Sequence, residues 1–395
     1  MKRNFTYSEM STASDRSSQP VLSRRSFLQT AAVTGVSAVI PTTAAALETP
    51  AAHAQANRPT ASSGDPGEAL PNPIIPNFQG EYGRSSMPSF QVPKRPMGST
   101  GLQVSILGMG GFHLGAALSL GMVNDMVAKA LDHGINLFDN AWEYQQGAGE
   151  ERLGMALKGK RNQAILVTGV CTYGRKKDIA MRMLEDSLTR LQTDYLDVWQ
   201  VHDVIYYNDP ELAYQVDGVL EALAAAKQQG KVRFVGFTGH KNPSIHLDML
   251  DRGFRFDTVQ MPINPFDPSF RSFERDVLPV AIQKGMAVFS IKSMSGSGES
   301  IVRGALTPTE ALCYAMSVPG VSATVSGMES MEVLDQNLKV LRSFKPLAEE
   351  QMAALREHGR QFNDGRYELY KSTVKYDSDL GRAQHGFSSS TELPA

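Results

Sequence analysis

Phe138-Asp139-Asn140-Ala141-Trp142-Glu143-Tyr144, followed by Gly149-Glu150-Glu151-Arg152-Leu153-Gly154, is the stretch around which the chain is organised. Ile135 to Phe138 is an apolar run that stops at two polar residues, which predicts a short buried strand; Gly149 onward predicts a helix start. An acid at a strand end, with a tyrosine five residues further on in the loop, is where a (β/α) barrel keeps its chemistry. A second strand end of this kind follows at Trp199-Gln200-Val201-His202-Asp203. Singly, Asp139, Tyr144 and His202 read as a capping acid, a half-buried tyrosine and a core histidine. Three in order, each at a predicted strand end, favour a site.

Working outward, short apolar runs alternate with helical periods. Strands are expected at Ile106–Gly111, Ile135–Phe138, Ala164–Thr168, Leu196–Gln200, Val232–Thr238, Thr258–Met261, Ala287–Ile291 and Ala323–Ser326. Helices are expected between and after them, among them Lys177–Leu191, whose Ala180, Met183, Leu184, Leu188 and Leu191 form one core-facing stripe, and Phe273–Lys284. Eight units between about residues 104 and 342 match one (β/α)8 barrel. A doubly wound open sheet is disfavoured, because Gly108-Met109-Gly110-Gly111 lacks the Gly-x-Gly-x-x-Gly spacing. Gly98-Ser99-Thr100-Gly101 between apolar segments predicts a hairpin ahead of the barrel. The expected organisation is a signal peptide over 1–54, an irregular Pro/Gly/Ser-rich arm over 55–91, the barrel over 92–345, and a helix and tail over 346–395.

The chain has 395 residues, 42% of them hydrophobic, which suffices for one large core. A net charge of -2 gives no electrostatic footprint for nucleic acid or anionic lipid. Two cysteines, Cys171 and Cys313, exclude a disulfide scaffold; Cys171, at a strand end, is either a reactive thiol or a small buried hydrophobe. Ser23-Arg24-Arg25-Ser26-Phe27-Leu28 precedes a mild apolar run, Ala31 to Ala46, too weak for a permanent membrane span. That pattern is a twin-arginine signal, with small-x-small cleavage sites at Ala44-Ala45-Ala46 and, preferred, Ala52-His53-Ala54. It implies the twin-arginine export machinery as a partner and a soluble, periplasmic or otherwise exported product. The route carries folded proteins, and one common reason to need it is a cofactor inserted before export.

Asp139, Tyr144 and His202 together resemble the catalytic set of the aldo/keto reductase superfamily. The resemblance runs from about Met97 to Leu341 and includes Thr100-Gly101-Leu102-Gln103-Val104-Ser105, Leu191-Gln192-Thr193-Asp194-Tyr195-Leu196-Asp197, Val235-Gly236-Phe237-Thr238 and Gln336-Asn337-Leu338. It implies carbonyl reduction by a nicotinamide, with Tyr144 as proton donor and His202 orienting the carbonyl. Thr238 and Gln260 would hold the nicotinamide amide; Gly327, Ser330, Gln336 and Asn337 would cradle pyrophosphate and adenosine. Gly239 stands where the superfamily usually has asparagine. Met328, Glu329 and Asp335 stand where NADP-preferring relatives tend to carry Lys or Arg, so the cofactor is expected to be NAD or NADP with a lean to NAD; export into a space with little free nucleotide implies that it is tightly bound. No metal site is expected: His202, Asp203, His240 and His246 lack a compelling ligand spacing.

One member of the set is missing. In Leu166-Val167-Thr168-Gly169 the lysine that would pair with Asp139 and acidify Tyr144 is a glycine. Four accounts stay open. Another cation serves, with Arg175, Lys176 and Lys177 expected to reach in more easily than Lys292. A helper cation or the substrate fills the gap. The chemistry has moved, toward a redox-neutral epimerase or lyase with a held cofactor. Or the barrel binds nucleotide or sugar without turnover. The leading expectation is an NAD(P)-dependent oxidoreductase acting on a carbonyl or hydroxyl compound, with sugars plausible. The tail, with Tyr367, Tyr370, Tyr376 and Gln384-His385-Gly386-Phe387, either folds over the barrel mouth or runs across the surface.

Overall fold

A computed structural model describes residues 90–392, apart from Leu118 and Lys375. The signal peptide and nearly all of the expected arm lie outside the described residues. A hairpin, β1 (Lys94–Pro96) and β2 (Gln103–Ser105), precedes eight strands: β3 (Leu107–Gly110), β4 (Leu137–Asp139), β5 (Ile165–Val170), β6 (Leu196–Val201), β7 (Val232–Thr238), β8 (Thr258–Pro262), β9 (Ala287–Ile291) and β10 (Val321–Gly327). All eight pair in parallel, in the closed order β10-β3-β4-β5-β6-β7-β8-β9, so this is a (β/α)8 barrel.

Alternation along each strand decides what the barrel holds. Leu137, Ile165, Val167, Val198, Ala287, Phe289 and Ala323 point inward and form one apolar cluster with Met97 and Val104 of the hairpin. The hairpin therefore plugs the floor. Its turn needs glycine at residue 98: φ is +52°, and a Cβ would stand 2.4 Å from the Ala287 nitrogen. Toward the C-terminal ends of the strands the inward set is polar: Asp139 on β4, Gln200 on β6, Thr238 on β7, Gln260 on β8. Gln200 Nε2 donates to Thr258 Oγ1 at 3.1 Å inside the barrel. The outward-facing strand residues pack under the helices in the larger apolar core.

Two expectations need correction. Phe273–Lys284 is two short helices, Phe273–Asp276 and Leu278–Gln283, because Pro279 has no N–H to continue the first. Ile106–Gly111 shortens to Leu107–Gly110, and Gly111 opens a five-residue helix. A short helix at Asp209–Tyr214 was not anticipated. No helix among the described residues is long and apolar enough to cross a membrane.

The tail folds over the mouth. Thr172, Asn208, His240, Lys241, Asn264 and Glu299, from the loops after β5 to β9, all hydrogen-bond to residues between 368 and 385. Its principal anchor is fully buried: Lys371 Nζ sits 2.6 Å from Asp267 Oδ1 and 2.8 Å from Glu368 Oε1. A second is His385, whose Nε2 lies 2.9 Å from Asp209 Oδ1.

Candidate active site

Asp139 ends β4 inside the barrel, and the chain beyond it stays tied to β5. Asn140 N donates to Val167 O at 2.9 Å and Trp142 N to Gly169 O at 3.0 Å. A tight turn over Tyr144–Gly147 follows, with Gln145 and Gln146 left-handed at φ 47° and 57°. Arg190 braces the loop by donating to Trp142 O at 2.9 Å and to Glu150 Oε2 at 3.2 Å. The turn delivers Glu143 and Tyr144 to the same side chain. Tyr144 OH lies 3.3 Å from His202 Nε2, and Glu143 Oε1 lies 2.7 Å from His202 Nδ1.

His202 follows β6, its N–H donating to Val170 O at 2.9 Å. Asp203 next to it is left-handed (φ 51°) and its N–H donates to Thr238 Oγ1 at 3.0 Å. Its Oδ1 lies 3.4 Å from His240 Nε2 and 3.9 Å from His202 Nε2. Tyr144 and His202 thus meet with Asp139 close enough to act on both, and Glu143, Asp203 and His240 join them.

Charge follows from burial and neighbours. Burial pushes Asp139 up to about 7, against a hydrogen bond from Gln260 and the nearby His202. Tyr144 is pushed well above the usual phenol range, by burial first and then by Asp139, Asp203 and Glu143. Burial opposes a charge on His202, but Asp203, Glu143 and Asp139 outweigh it and raise it to about 9. Asp203 is held well below the usual carboxylate range: burial acts the other way, and His202, His240 and Lys292 overcome it.

The candidate cations sort differently from expectation. Arg175 is fully buried and committed to structure: Nε donates to Asp209 Oδ1 at 2.7 Å, and the guanidinium also takes the carbonyls of Cys171, His202 and Asp203. Lys177 pairs with Glu221 at the surface, 3.0 Å apart, and Lys176 is exposed. Lys292 is the lysine that faces the mouth, its Nζ over the Tyr370 and Tyr376 rings at 5.6 and 5.4 Å. It acts on Asp203, His240 and His113. Residue 169 is closed to a side chain, since a Cβ there would stand 2.8 Å from His202 Cβ.

Cys171 is a buried thiol that burial pushes above its usual range, so the reading as a small hydrophobe stands. His246 is packed between Phe237 and Phe273, and burial drops it to about 3. Glu143, His202 and Asp203 instead bring one carboxylate or imidazole atom each to within 4.8 Å of one another, a cluster held together by its own hydrogen bond between Glu143 and His202.

For a nicotinamide cofactor the donor set fits. Thr238 and Gln260 are register partners on β7 and β8. Gln260 is buried and its Oε1 has no hydrogen-bond partner among the described residues, an acceptor open to a carboxamide N–H. Gly327 ends β10, and Ser330 caps a 13-residue helix, Met331–Ser343, with its Oγ. Asn337 is buried, with Nδ2 donating to Ser326 Oγ at 3.2 Å and Oδ1 unpartnered among the described residues; Gln336 is exposed on the same helix. Gly239 has no room for asparagine, because a Cβ would stand 2.3 Å from Val204 O.

Residues 106–299 match the aldo/keto reductase family. Among curated proteins, the chain is 25% identical over 307 residues to the uncharacterized oxidoreductase YqkF of Bacillus subtilis, covering 68% of this chain and 97% of that protein. It is 26% identical to L-galactose dehydrogenase of Arabidopsis thaliana, covering 66% and 92%. Among solved structures, the holo form of the aldo-keto reductase AKR11C1 from Bacillus halodurans superposes with TM-score 0.57 at 25% identity, covering 69% of this chain and 96% of that one. An aldo-keto reductase from Klebsiella pneumoniae in complex with NADPH shares the fold at 24% identity and TM-score 0.55, with 69% and 96% covered. Over residues 106–299 the chain is thus similar to the aldo/keto reductase family, and the Klebsiella pneumoniae likeness shows the fold alone.

Proposed function

We propose that this chain is an exported NAD(P)-dependent oxidoreductase of the aldo/keto reductase type that acts on the carbonyl or hydroxyl of a sugar-like compound. The observation that carries this is the convergence of Tyr144 OH and His202 Nε2, 3.3 Å apart, beside Asp139 in a mouth where Gln260 Oε1 lacks a partner among the described residues. When bound, the nicotinamide supplies or accepts the hydride. Thr238 and Gln260 would hold its carboxamide, while Gly327 and the backbone N–H groups after Ser330 would take the pyrophosphate. Tyr144 moves a proton to or from the substrate oxygen, His202 orients that oxygen, and the tail keeps water out.

The polar mouth and the likeness to L-galactose dehydrogenase both favour a sugar. NAD is favoured over NADP, since Glu329 and Asp335 follow β10 and Asp335 is already paired with Lys129. A twin-arginine signal over 1–54 implies delivery through that export machinery, into a compartment poor in free nucleotide. The cofactor is then tightly held, and a cycle that returns it to its starting state, such as epimerisation through a transient ketone, is the second reading. Turnover without added nucleotide distinguishes the two.

Mass spectrometry of the nucleotide released on denaturing the exported, folded protein tests the frame. Stoichiometric NAD or NADP is expected; an empty protein that binds neither on titration overturns it. With nucleotide present, Tyr144→Phe is expected to lower turnover about 10²- to 10⁴-fold while leaving nucleotide content unchanged.

A further inference from the structure

We propose that Glu143 is the positioning residue of a Glu143–His202–Tyr144 proton relay, in which His202 carries the positive charge that a lysine at residue 169 would otherwise bring to Tyr144. The proposal rests on the oxidoreductase reading above.

Tyr144 by itself is a poor acid here. Its charged neighbours are the carboxylates of Asp139, Asp203 and Glu143, each of which disfavours phenolate. Of the basic residues considered, Arg175 is bound to Asp209 and to three backbone carbonyls, Lys177 to Glu221, and Lys292 lies over the tail tyrosines. The imidazole in contact with the phenol is His202.

Glu143 settles what that ring does. An ionised carboxylate only accepts hydrogen bonds, so Nδ1 at 2.7 Å from Glu143 Oε1 must carry a proton. Nε2 is thereby turned toward Tyr144 OH. The groups facing the ring are Asp139 from β4, Glu143 and Tyr144 from the loop after it, and Asp203 from the end of β6. His240 from the β7 loop and Lys292 from the end of β9 act through Asp203. Asp203 and Glu143 first, and Asp139 after them, keep both ring nitrogens protonated at neutral pH, with titration at about 9.

As hydride adds to the carbonyl carbon, the C=O π pair takes the Tyr144 phenolic proton as a new O–H bond. The electron pair left on the Tyr144 oxygen takes the Nε2 proton. His202 ends neutral, with its Nε2 lone pair free and its Nδ1–H still on the ring and donated to Glu143, and regains a proton from solvent. In oxidation the same atoms run in reverse, and the relay must start neutral.

The test is histidine-selective 15N NMR on the full exported protein with whatever nucleotide it retains, His202 being assigned from His202→Gln. Wild type is expected to hold His202 charged past pH 8, with a midpoint near 9. In Glu143→Gln the midpoint is expected to fall by about one unit or more, and the high-pH limb of the reduction rate should move down with it while KM changes little. Glu143→Asp should restore most of the midpoint; it also guards against a Gln variant that folds poorly. A midpoint unmoved in Glu143→Gln, or a neutral wild-type ring at pH 7, overturns the relay. So does a His202 resonance that shifts on chelation with EDTA, which would make Glu143, His202 and Asp203 metal ligands. Absence of nucleotide is a separate result: it sinks the oxidoreductase reading, whereas the His202 titration reports on the relay alone.

Discussion

The ends of β5 and β6 are neighbours, with Gly169 paired to Gln200 and Val170 to Val201, yet they are furnished in opposite ways. The β5 end offers a glycine and a buried, inert cysteine. The β6 end offers His202 and Asp203, ringed by Glu143, Tyr144, His240 and the Arg175 guanidinium. The two facts are one. His202 Cβ occupies the space over Gly169, so the emptiness of one strand end is the condition for crowding the other. Charge that a lysine would bring on β5 is instead assembled on the next strand, from a histidine and the carboxylates that keep it protonated. A missing residue in a catalytic set is therefore weak evidence for a dead site until its neighbours have been placed.

The largest expected effect comes from removing what holds the crowded end together. Arg175 is fully buried, and its guanidinium joins Asp209 to the carbonyls of His202 and Asp203. Arg175→Ala leaves Asp209 buried with only His385 as a side-chain partner and frees both carbonyls. A loss of about 3–5 kcal/mol in denaturant unfolding is expected. A loss below about 1 kcal/mol would mean that the β6 end holds its shape without this tie.

Asp139 sharpens the comparison from the other side, since it is the group that a lysine on β5 would have neutralised. Its folded value of about 7 is raised from 3.8. Its contribution to stability is then fully present below about pH 4 and lost as pH rises through 7. At pH 8 the wild type carries a buried carboxylate that Asp139→Asn lacks. The variant is expected to be more stable by on the order of 2–4 kcal/mol at pH 8 and no more stable at pH 4. Urea titrations at the two pH values check this. A stability difference that is the same at both pH values would mean that Asp139 titrates in the folded protein where it does in the unfolded chain.

How much of this was legible in the sequence follows from the kind of signal each part leaves. All eight strands were, because apolar runs bounded by turns repeat at barrel spacing. Asp139, Tyr144 and His202 were, because strand ends are where inward side chains meet the mouth. Glu143 stood in the quoted stretch and carried no signal. Only a turn with Gln145 and Gln146 left-handed brings it to His202, and two glutamines do not announce that geometry. Arg175 looked like a mobile loop cation because its partner, Asp209, opens a six-residue helix too short to show a period. The tail's direction was equally hidden. It is fixed by Lys371 meeting Asp267 about a hundred residues away, a contact that periodicity does not record.

The smallest effect on stability bears most directly on the comparison. Gly169→Ala adds one methyl group, and its carbon would stand 2.8 Å from His202 Cβ and 3.4 Å from Gln200 O. The first contact is with the root of a side chain, which cannot rotate away, so β5 and β6 must part or His202 must shift. Overpacking of this kind costs about 1–3 kcal/mol. Catalysis is expected to suffer more than folding, because the 2.7 Å Glu143 contact and the 3.3 Å Tyr144 contact both hang on that Cβ. A fall in kcat of roughly tenfold or more is expected, with nucleotide content unchanged. Gly169→Lys, the substitution that would complete the superfamily's set, meets the same obstacle at the same atom and is expected to lower activity as well. Should lysine at that position raise turnover, the histidine is not standing in for it, and the two strand ends would have to be read as a damaged site beside an intact one.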